Sequence, residues 1–170
     1  MTPADLPQAN ELRRLAGWNQ SLRDWEGYLE FEPEGCFVAE VEGRPQGTAT
    51  TITYEGRLAW IGMVLVHPDQ RRRGIGTALL QHALDWLRAR RIPCIKLDAT
   101  PMGRPVYLPL GFCDEYAVTR YIGHVRSPAG ADDSGIEPLR ASDLPAVAKL
   151  DAGWFGVARP QVLASLSGRD

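Results

Sequence analysis

One stretch of the chain decides the fold: residues 64–77, with the sequence VLVHPDQRRRGIGT. It begins with the end of an almost wholly apolar run, residues 58–66, which indicates a strand that is covered by helices on both faces. A turn that contains glycines follows and opens a helix. The first N–H groups of a helix have no partner within it and point, with the positive end of the helix dipole, at whatever lies on the turn. The stretch therefore predicts a strand, an anion-binding turn and a helix in succession.

The residues of this turn favour a phosphate or a diphosphate. Gly74 and Gly76 carry no Cβ, so a bulky diphosphate can approach the backbone closely, and Arg71, Arg72 and Arg73 add positive charge beside it. Two other phosphate loops do not fit, because the sequence has no GxxxxGK[ST] pattern and the turn lacks the third glycine and the acidic partner of a dinucleotide fold. A tight turn that only allows close packing remains the alternative interpretation.

Outward from this stretch, the hydrophobic spacing predicts a mixed α/β domain. Helices are expected at residues 6–16, 22–29 and 74–91, strands at 36–41, 48–54, 58–66, 94–100 and 112–125, and a short helical turn at 106–110. Ser21 is the expected cap of the second helix. The order of the elements is helix, helix, hairpin, buried strand, helix, strand, turn and strand.

Length and composition exclude several classes of protein. The chain has 170 residues, enough for about one domain, and its 19 Lys and Arg against 21 Asp and Glu give a net charge of −2. This balance supplies no general electrostatic reason to bind nucleic acid or an anionic membrane. The apolar fraction of 44% excludes disorder across the whole chain. Neither a targeting segment nor a membrane span is found, so a cytoplasmic protein is expected.

The cysteines and histidines give no sign of a disulfide or a metal site. The number of cysteines is odd and none has CxxC spacing. Each of them, Cys36, Cys94 and Cys113, lies in or beside an apolar run. We expect reduced, buried thiols. The three histidines lack the spacing of metal ligands, so no metal is expected.

Two motifs together resemble a known family. Residues 64–80 resemble the acyl-CoA motif of the GNAT family of N-acetyltransferases, with Arg71-x-x-Gly74-x-Gly76 at the signature positions. Residues 100–112, TPMGRPVYLPLGF, are similar to the second motif of that family, a tyrosine followed by Gly-Phe. The resemblance covers roughly three quarters of the chain, and the predicted element order is that of the family. It implies an α/β (α+β) fold with a mixed, mostly antiparallel central sheet, a splayed buried strand and helices on both faces.

The resemblance also implies a reaction. Such an enzyme transfers the acetyl group of acetyl-CoA, its acyl-donor cosubstrate, to a primary amine of a small molecule or peptide by direct attack in a ternary complex, without a metal. The contacts with acetyl-CoA that the family implies are Val64, Leu65 and Val66 to pantetheine and the acetyl carbonyl, Arg71, Arg72, Arg73, Gly74, Ile75, Gly76 and Thr77 to the diphosphate, and Thr100 in the place of a frequent asparagine.

Two residues are candidates for proton transfer. Tyr107 corresponds to the family's proton donor to the departing thiolate, although an aromatic side chain that packs a short helix on the sheet is an equal alternative. Many relatives carry a carboxylate on the buried strand, but residues 60–63 have none. Asp98, at the end of the neighbouring strand, is the nearest substitute as a base. Its alternative role is a structural hydrogen-bond acceptor.

The sequence also leaves alternatives for the acceptor pocket and for the function. By the resemblance, Trp18, Asn19 and Tyr28 border the acceptor pocket, whereas a tryptophan at a helix corner commonly belongs to the core. The missing strand carboxylate leaves a second function open, a non-catalytic acyl-CoA-binding or protein-interaction module.

The C-terminal part of the chain partly repeats the start. Residues 1–126 are the expected GNAT-like domain and residues 127–135 a linker. Residues 136–170 follow as a partial second repeat or a C-terminal extension, because RASDLP at 140–145 resembles TPADLP at 2–7. Some family members carry two such domains in tandem, and this chain would be a shortened form of that arrangement. Residues 136–140 are expected to supply an edge strand to their own sheet or, by exchange, to a second copy in a homodimer.

Overall fold

The computed structural model of the protein describes residues 1–124 and 135–168. The chain divides into two units, residues 1–111 and residues 112–170. The elements of the first unit are α1 (Leu6–Leu15), α2 (Leu22–Phe31), β1 (Cys36–Val41), β2 (Arg44–Tyr54), β3 (Leu58–Val66), α3 (Ile75–Ala89), β4 (Cys94–Leu97) and α4 (Arg104–Tyr107). Their order confirms the prediction from hydrophobic spacing up to residue 110.

The four strands form one mixed sheet in the order β1-β2-β3-β4. The first three strands pair antiparallel, and β4 pairs parallel with β3. Helices cover both faces. On one face α3 buries five apolar residues, Leu79, Leu80, Ala83, Leu84 and Leu87. On the other face α1 and α2 enclose a core cluster with two residues of β3, made of Leu6, Ala9, Leu12, Trp25, Met63 and Leu65. The predicted fold class is confirmed.

The buried strand β3 is irregular where it matters for a site. Thr50 of β2 pairs with Gly62, but Thr48 pairs with Leu65, so β3 carries one extra residue in a bulge. Met63 within the bulge adopts a left-handed conformation, with φ of +50°. In addition, β4 pairs only with the first four residues of β3, from Leu58 to Ile61. In the part of the chain that is described, residues 62–66 therefore have no strand beside them on the β4 side.

Two predictions are wrong: the strand at residues 112–125 and the burial of two of the cysteines. The strand predicted for residues 112–125 is not formed, because residues 112–124 are neither helix nor strand and Val125 lies outside the described residues. Alternating apolar residues become a strand only where a neighbouring strand pairs with their backbone. The thiols of Cys94 and Cys113 are exposed, since one begins the edge strand β4 and the other lies in this unpaired segment.

Cys36 is buried as predicted, and burial raises the pKa of its thiol to about 12. All three cysteines are free. No helix within residues 1–124 and 135–168 is long and apolar enough to cross a membrane.

The second unit contains α5 (Leu144–Phe155) and α6 (Pro160–Ser167). A 3-10 turn, Ala141–Asp143, precedes α5 just as Pro3–Asp5 precedes α1. In both turns the aspartate accepts the backbone N–H three residues before it, at 2.9 Å for Asp143 and 2.7 Å for Asp5. Residues 136–140 form no strand, so the expectation that they complete the sheet of their own chain is wrong, because their backbone finds no pairing strand. Exchange with a second copy stays a prediction.

Candidate active site

The turn between β3 and α3 leaves its backbone open. A 3-10 turn, Pro68–Gln70, follows β3, and α3 begins at Ile75 after Gly74, whose φ of +82° favours glycine. Among the described residues, no side chain caps the helix, and a Cβ on Gly74 would meet no atom within 4 Å. A Cβ on Gly76 would meet only Val66, at 3.5 Å. The first N–H groups of α3 thus face space that an anion can enter.

The three arginines of the turn differ in their roles. Arg71 is half-buried, and its Nε donates to the carbonyl of Val66 at 3.2 Å, so it ties the turn to the end of β3. Arg72 and Arg73 are exposed, and Arg73 donates to Gln70. These two side chains are therefore placed to approach a phosphate without disturbing the core.

The three predicted pantetheine contacts lie on the part of β3 that has no strand on its β4 side. Leu65 is buried in the core cluster with α1 and α2, so only its backbone is available to a ligand. Val66 faces α3, and Val64 is half-buried. The carbonyls of Met63 and Val66 already accept hydrogen bonds from Thr48 and Arg71. Because residues 62–66 lack a strand on the β4 side, their other peptide groups that face this side can bind an extended ligand that carries amides, as pantetheine does. The same strand leads directly into the turn at Gly74.

Tyr107 lies in a closely packed turn. Its ring covers Gly103, where a Cβ would lie 2.9 Å from the Tyr107 Oη, so a larger residue at 103 would displace the phenol. Thr100 Oγ1 accepts the N–H of Gly103 at 3.1 Å, which links Thr100 to this turn and leaves its hydroxyl proton available to a ligand. A phenol, with an ordinary pKa of about 10, is protonated at neutral pH, and burial raises the pKa of the Tyr107 hydroxyl further. A protonated phenol is what a proton donor to a thiolate requires.

The other predicted site residues differ in how far they are buried. Asp98 is exposed, one residue beyond the end of β4. Trp18 is half-buried and packs against the core cluster, as the alternative interpretation expected, while Asn19 is exposed. Tyr28 is the member of this group that reaches the sheet, because its Oη lies 3.6 Å from the position of a Cβ on Gly62.

Two residues that sequence reasoning missed lie beside Tyr28. Thr50 is fully buried, and its Oγ1 would lie 3.5 Å from a Cβ on Gly62. Within the described residues this hydroxyl has no hydrogen-bond partner. The signal available in the sequence was weak: a threonine in a buried strand, and a glycine in the stretch 60–63 that lacks a carboxylate. Their contact depends on the pairing of β2 with β3.

The chain is similar to proteins named as acyltransferases and acetyltransferases. The chain is 27% identical over 164 residues to the holothin acyltransferase of Pseudoalteromonas sp., which covers 95% of this chain and 54% of that protein. It is similar in structure to a Pyrococcus horikoshii protein assigned as an acetyltransferase, with a TM-score of 0.76 and 25% identity over 98% of this chain and 59% of that one. It thus spans little more than half the length of these two proteins.

A solved structure of a predicted acetyltransferase from Clostridium acetobutylicum contains acetyl-CoA, and its likeness to this chain covers 72% of this chain and 92% of that one. The TM-score is 0.58 at 22% identity, which shows a shared fold. The family model described as "Acetyltransferase (GNAT) family" matches residues 7–112, more than half of the chain. The chain belongs to the GNAT family of acetyltransferases.

Proposed function

We propose that the protein is an N-acetyltransferase that transfers the acetyl group of acetyl-CoA to a primary amine of a small molecule or peptide. One observation carries the proposal: residues 62–66 of β3 have no strand on their β4 side, and the chain then leads through one 3-10 turn to the open turn at Gly74 and Gly76. A ligand with an amide-containing arm and a diphosphate matches both features at once. Membership of the GNAT family and the acyltransferase relative support the same donor.

The chemistry needs little from the protein beyond placement and protons. The amine nitrogen attacks the thioester carbon, a C–N bond forms, and the C–S bond breaks. The departing thiolate takes a proton, for which Tyr107 is the candidate donor because a phenol is protonated at neutral pH. The attacking nitrogen loses a proton, for which Asp98 stays the candidate acceptor.

Binding of acetyl-CoA is the first test. Calorimetric titration should detect it, and Gly76→Asp should weaken it at least tenfold, because a carboxylate at the helix start competes with the diphosphate. The matched control is Ala78→Asp, which adds the same charge at an exposed position two residues further along α3. Absence of binding to the unaltered protein at millimolar acetyl-CoA would refute the proposal.

Turnover is the second test. We expect release of free CoA thiol with at least one member of a panel of primary amines, from ethanolamine and spermidine to peptides with a free α-amino group. Binding of acetyl-CoA without thiol release from any amine would favour the non-catalytic module, which the lack of a carboxylate in residues 60–63 suggests.

Tyr107→Phe should lower kcat at least tenfold and leave the Kd of acetyl-CoA unchanged, because phenylalanine keeps the packing over Gly103 and removes only the proton. An unchanged kcat would show that Tyr107 is an aromatic packing residue.

A further inference from the structure

Thr50 stands apart from the other buried threonines of β2. Thr48 Oγ1 donates to the carbonyl of Met63 at 2.7 Å, and Thr51 Oγ1 donates to the carbonyl of Gly35 at 3.0 Å. Thr50 is equally buried, at 0% exposure, but its Oγ1 has no partner in residues 1–124 or 135–168. A buried hydroxyl without a partner costs about 1–3 kcal/mol, a cost that valine, of the same shape, would avoid. The hydroxyl therefore needs a partner that binds from outside the protein.

The space that this hydroxyl faces lies over Gly62, which we call the Gly62 hollow. A Cβ at this position would be 3.5 Å from Thr50 Oγ1 and 3.6 Å from Tyr28 Oη, so the two oxygens border the same point. A ligand nitrogen that enters the hollow beside this point can come within hydrogen-bond reach of both oxygens. Thr50 itself has no accessible surface, whereas Gly62 and Tyr28 are half-buried, so a small displacement of the Tyr28 side chain is what admits a ligand to the hydroxyl.

The hollow lies where the pairing of β3 with β4 stops. This pairing ends at Ile61 and Leu97, and Gly62 is the next residue of β3. A group held over Gly62 is thus beside the part of β3 that has no strand on its β4 side, where the proposed thioester arm binds.

We propose that the Gly62 hollow binds the amino group of the acetyl acceptor, with Thr50 Oγ1 and Tyr28 Oη each accepting an N–H. This inference rests on the proposed function and adds the residues that receive the amine. Both hydroxyl oxygens have acceptor lone pairs, and a neutral primary amine has two N–H groups to donate. With both N–H groups engaged, the nitrogen lone pair remains for the thioester carbon. The class of acceptor that fits is an unhindered primary amine rather than a secondary one, which lacks the second N–H.

The test compares Thr50→Val with Thr50→Ser, using as probe the primary amine of the panel that the unaltered protein acetylates fastest. Thr50→Val should raise the KM for this amine at least tenfold without changing the Kd of acetyl-CoA. Its melting temperature should be unchanged or higher, because an unpaired buried hydroxyl is removed. Thr50→Ser keeps the hydroxyl and should stay within about threefold of the original KM.

Thr51→Val is the matched control, since it removes a buried hydroxyl that is hydrogen-bonded within the protein. It should lower the melting temperature and leave the KM for the amine unchanged. Gly62→Ala is a second variant that the fold accepts, because the added methyl meets its neighbours at ordinary contact distances. It should raise the KM for the amine by occupying the hollow.

The outcomes separate the two proposals. Turnover by the unaltered protein with an unchanged KM in Thr50→Val overturns the hollow as the amine site and leaves the acetyltransferase proposal in place. Loss of acetyl-CoA binding in Thr50→Val also overturns it, because the effect is then on the donor. No turnover with any amine overturns the proposed function and this inference with it.

Discussion

The helix pairs α1–α2 and α5–α6 follow similar turns but differ in how far the side chains of their first helices are buried. Each first helix follows a 3-10 turn whose aspartate accepts a backbone N–H, and each starts with the residues Leu-Pro. Yet α1 buries Leu6, Ala9 and Leu12 against the sheet, whereas no residue of α5 is buried. In α5 the side chains of Leu150 and Trp154 are 66% and 86% exposed.

This difference shows what local sequence achieves and what it does not. An aspartate in the preceding turn and helical spacing are common to both helices, but the burial of an apolar helix face depends on what packs against it. The ion pair between α5 and α6 is bidentate, because Arg159 donates twice to Asp151, at 2.8 Å each. The Arg159 guanidinium also lies 3.8 Å from the centre of the Phe155 ring.

Two leucine-to-alanine substitutions should differ most in their effect on the free energy of unfolding. Leu12→Ala removes a side chain that is 2% exposed and should lower the free energy of unfolding by about 2–5 kcal/mol. Leu150→Ala should change it by less than about 0.5 kcal/mol, because that side chain is already exposed. Urea denaturation followed by circular dichroism measures both. A similar loss from the two substitutions would show that α5 is packed as firmly as α1.

A matched pair of serine substitutions tests the helix starts. Ser21 caps α2, since its N–H donates to Asp24 at 2.6 Å and its side chain accepts from the Asp24 N–H at 3.4 Å. Ser21→Ala should therefore cost about 1 kcal/mol of stability. Ser142→Ala, in the exposed turn before α5, should cost almost nothing by the same denaturation measurement. Equal losses would contradict the assignment of Ser21 as the cap.

The smallest expected effect is the pH dependence of the α5–α6 pair. Hydrogen bonds from Arg159 hold the pKa of the Asp151 carboxyl below its ordinary value. A lowered pKa means that the ion pair stabilises the folded state fully above the ordinary carboxyl pKa of about 4, and that this contribution is lost as pH falls through the lowered value. The contribution should be under about 1 kcal/mol, because the pair is partly exposed.

Thermal melts of the protein and of Asp151→Asn, followed by NMR signals of α5 and α6, measure this contribution. The two should converge as the pH falls below 4. A difference that persists at pH 2 would exclude the ion pair as its cause.

Much of the fold could be predicted from the sequence because its signals are local. Periodic leucines predicted α3, the cap at Ser21 predicted α2, and the glycines predicted the open turn. The Gly62 hollow could not be predicted, because it depends on which residue of β2 lies opposite Gly62. A bulge sets that pairing, and no local sequence pattern predicts the bulge. The exposure of Cys94 likewise depends on β4 being the edge of the sheet rather than on its own apolar neighbours.

The bulge at Met63 has a consequence for how β3 tolerates change. Gly62 and Leu65 face the same side of the sheet although they are three positions apart, because the extra residue shifts the alternation of side chains. A regular strand with the same residues would place Val64, rather than Leu65, among the side chains of α1 and α2. Variants of this strand therefore have to keep the bulge for Leu65 to remain in the core.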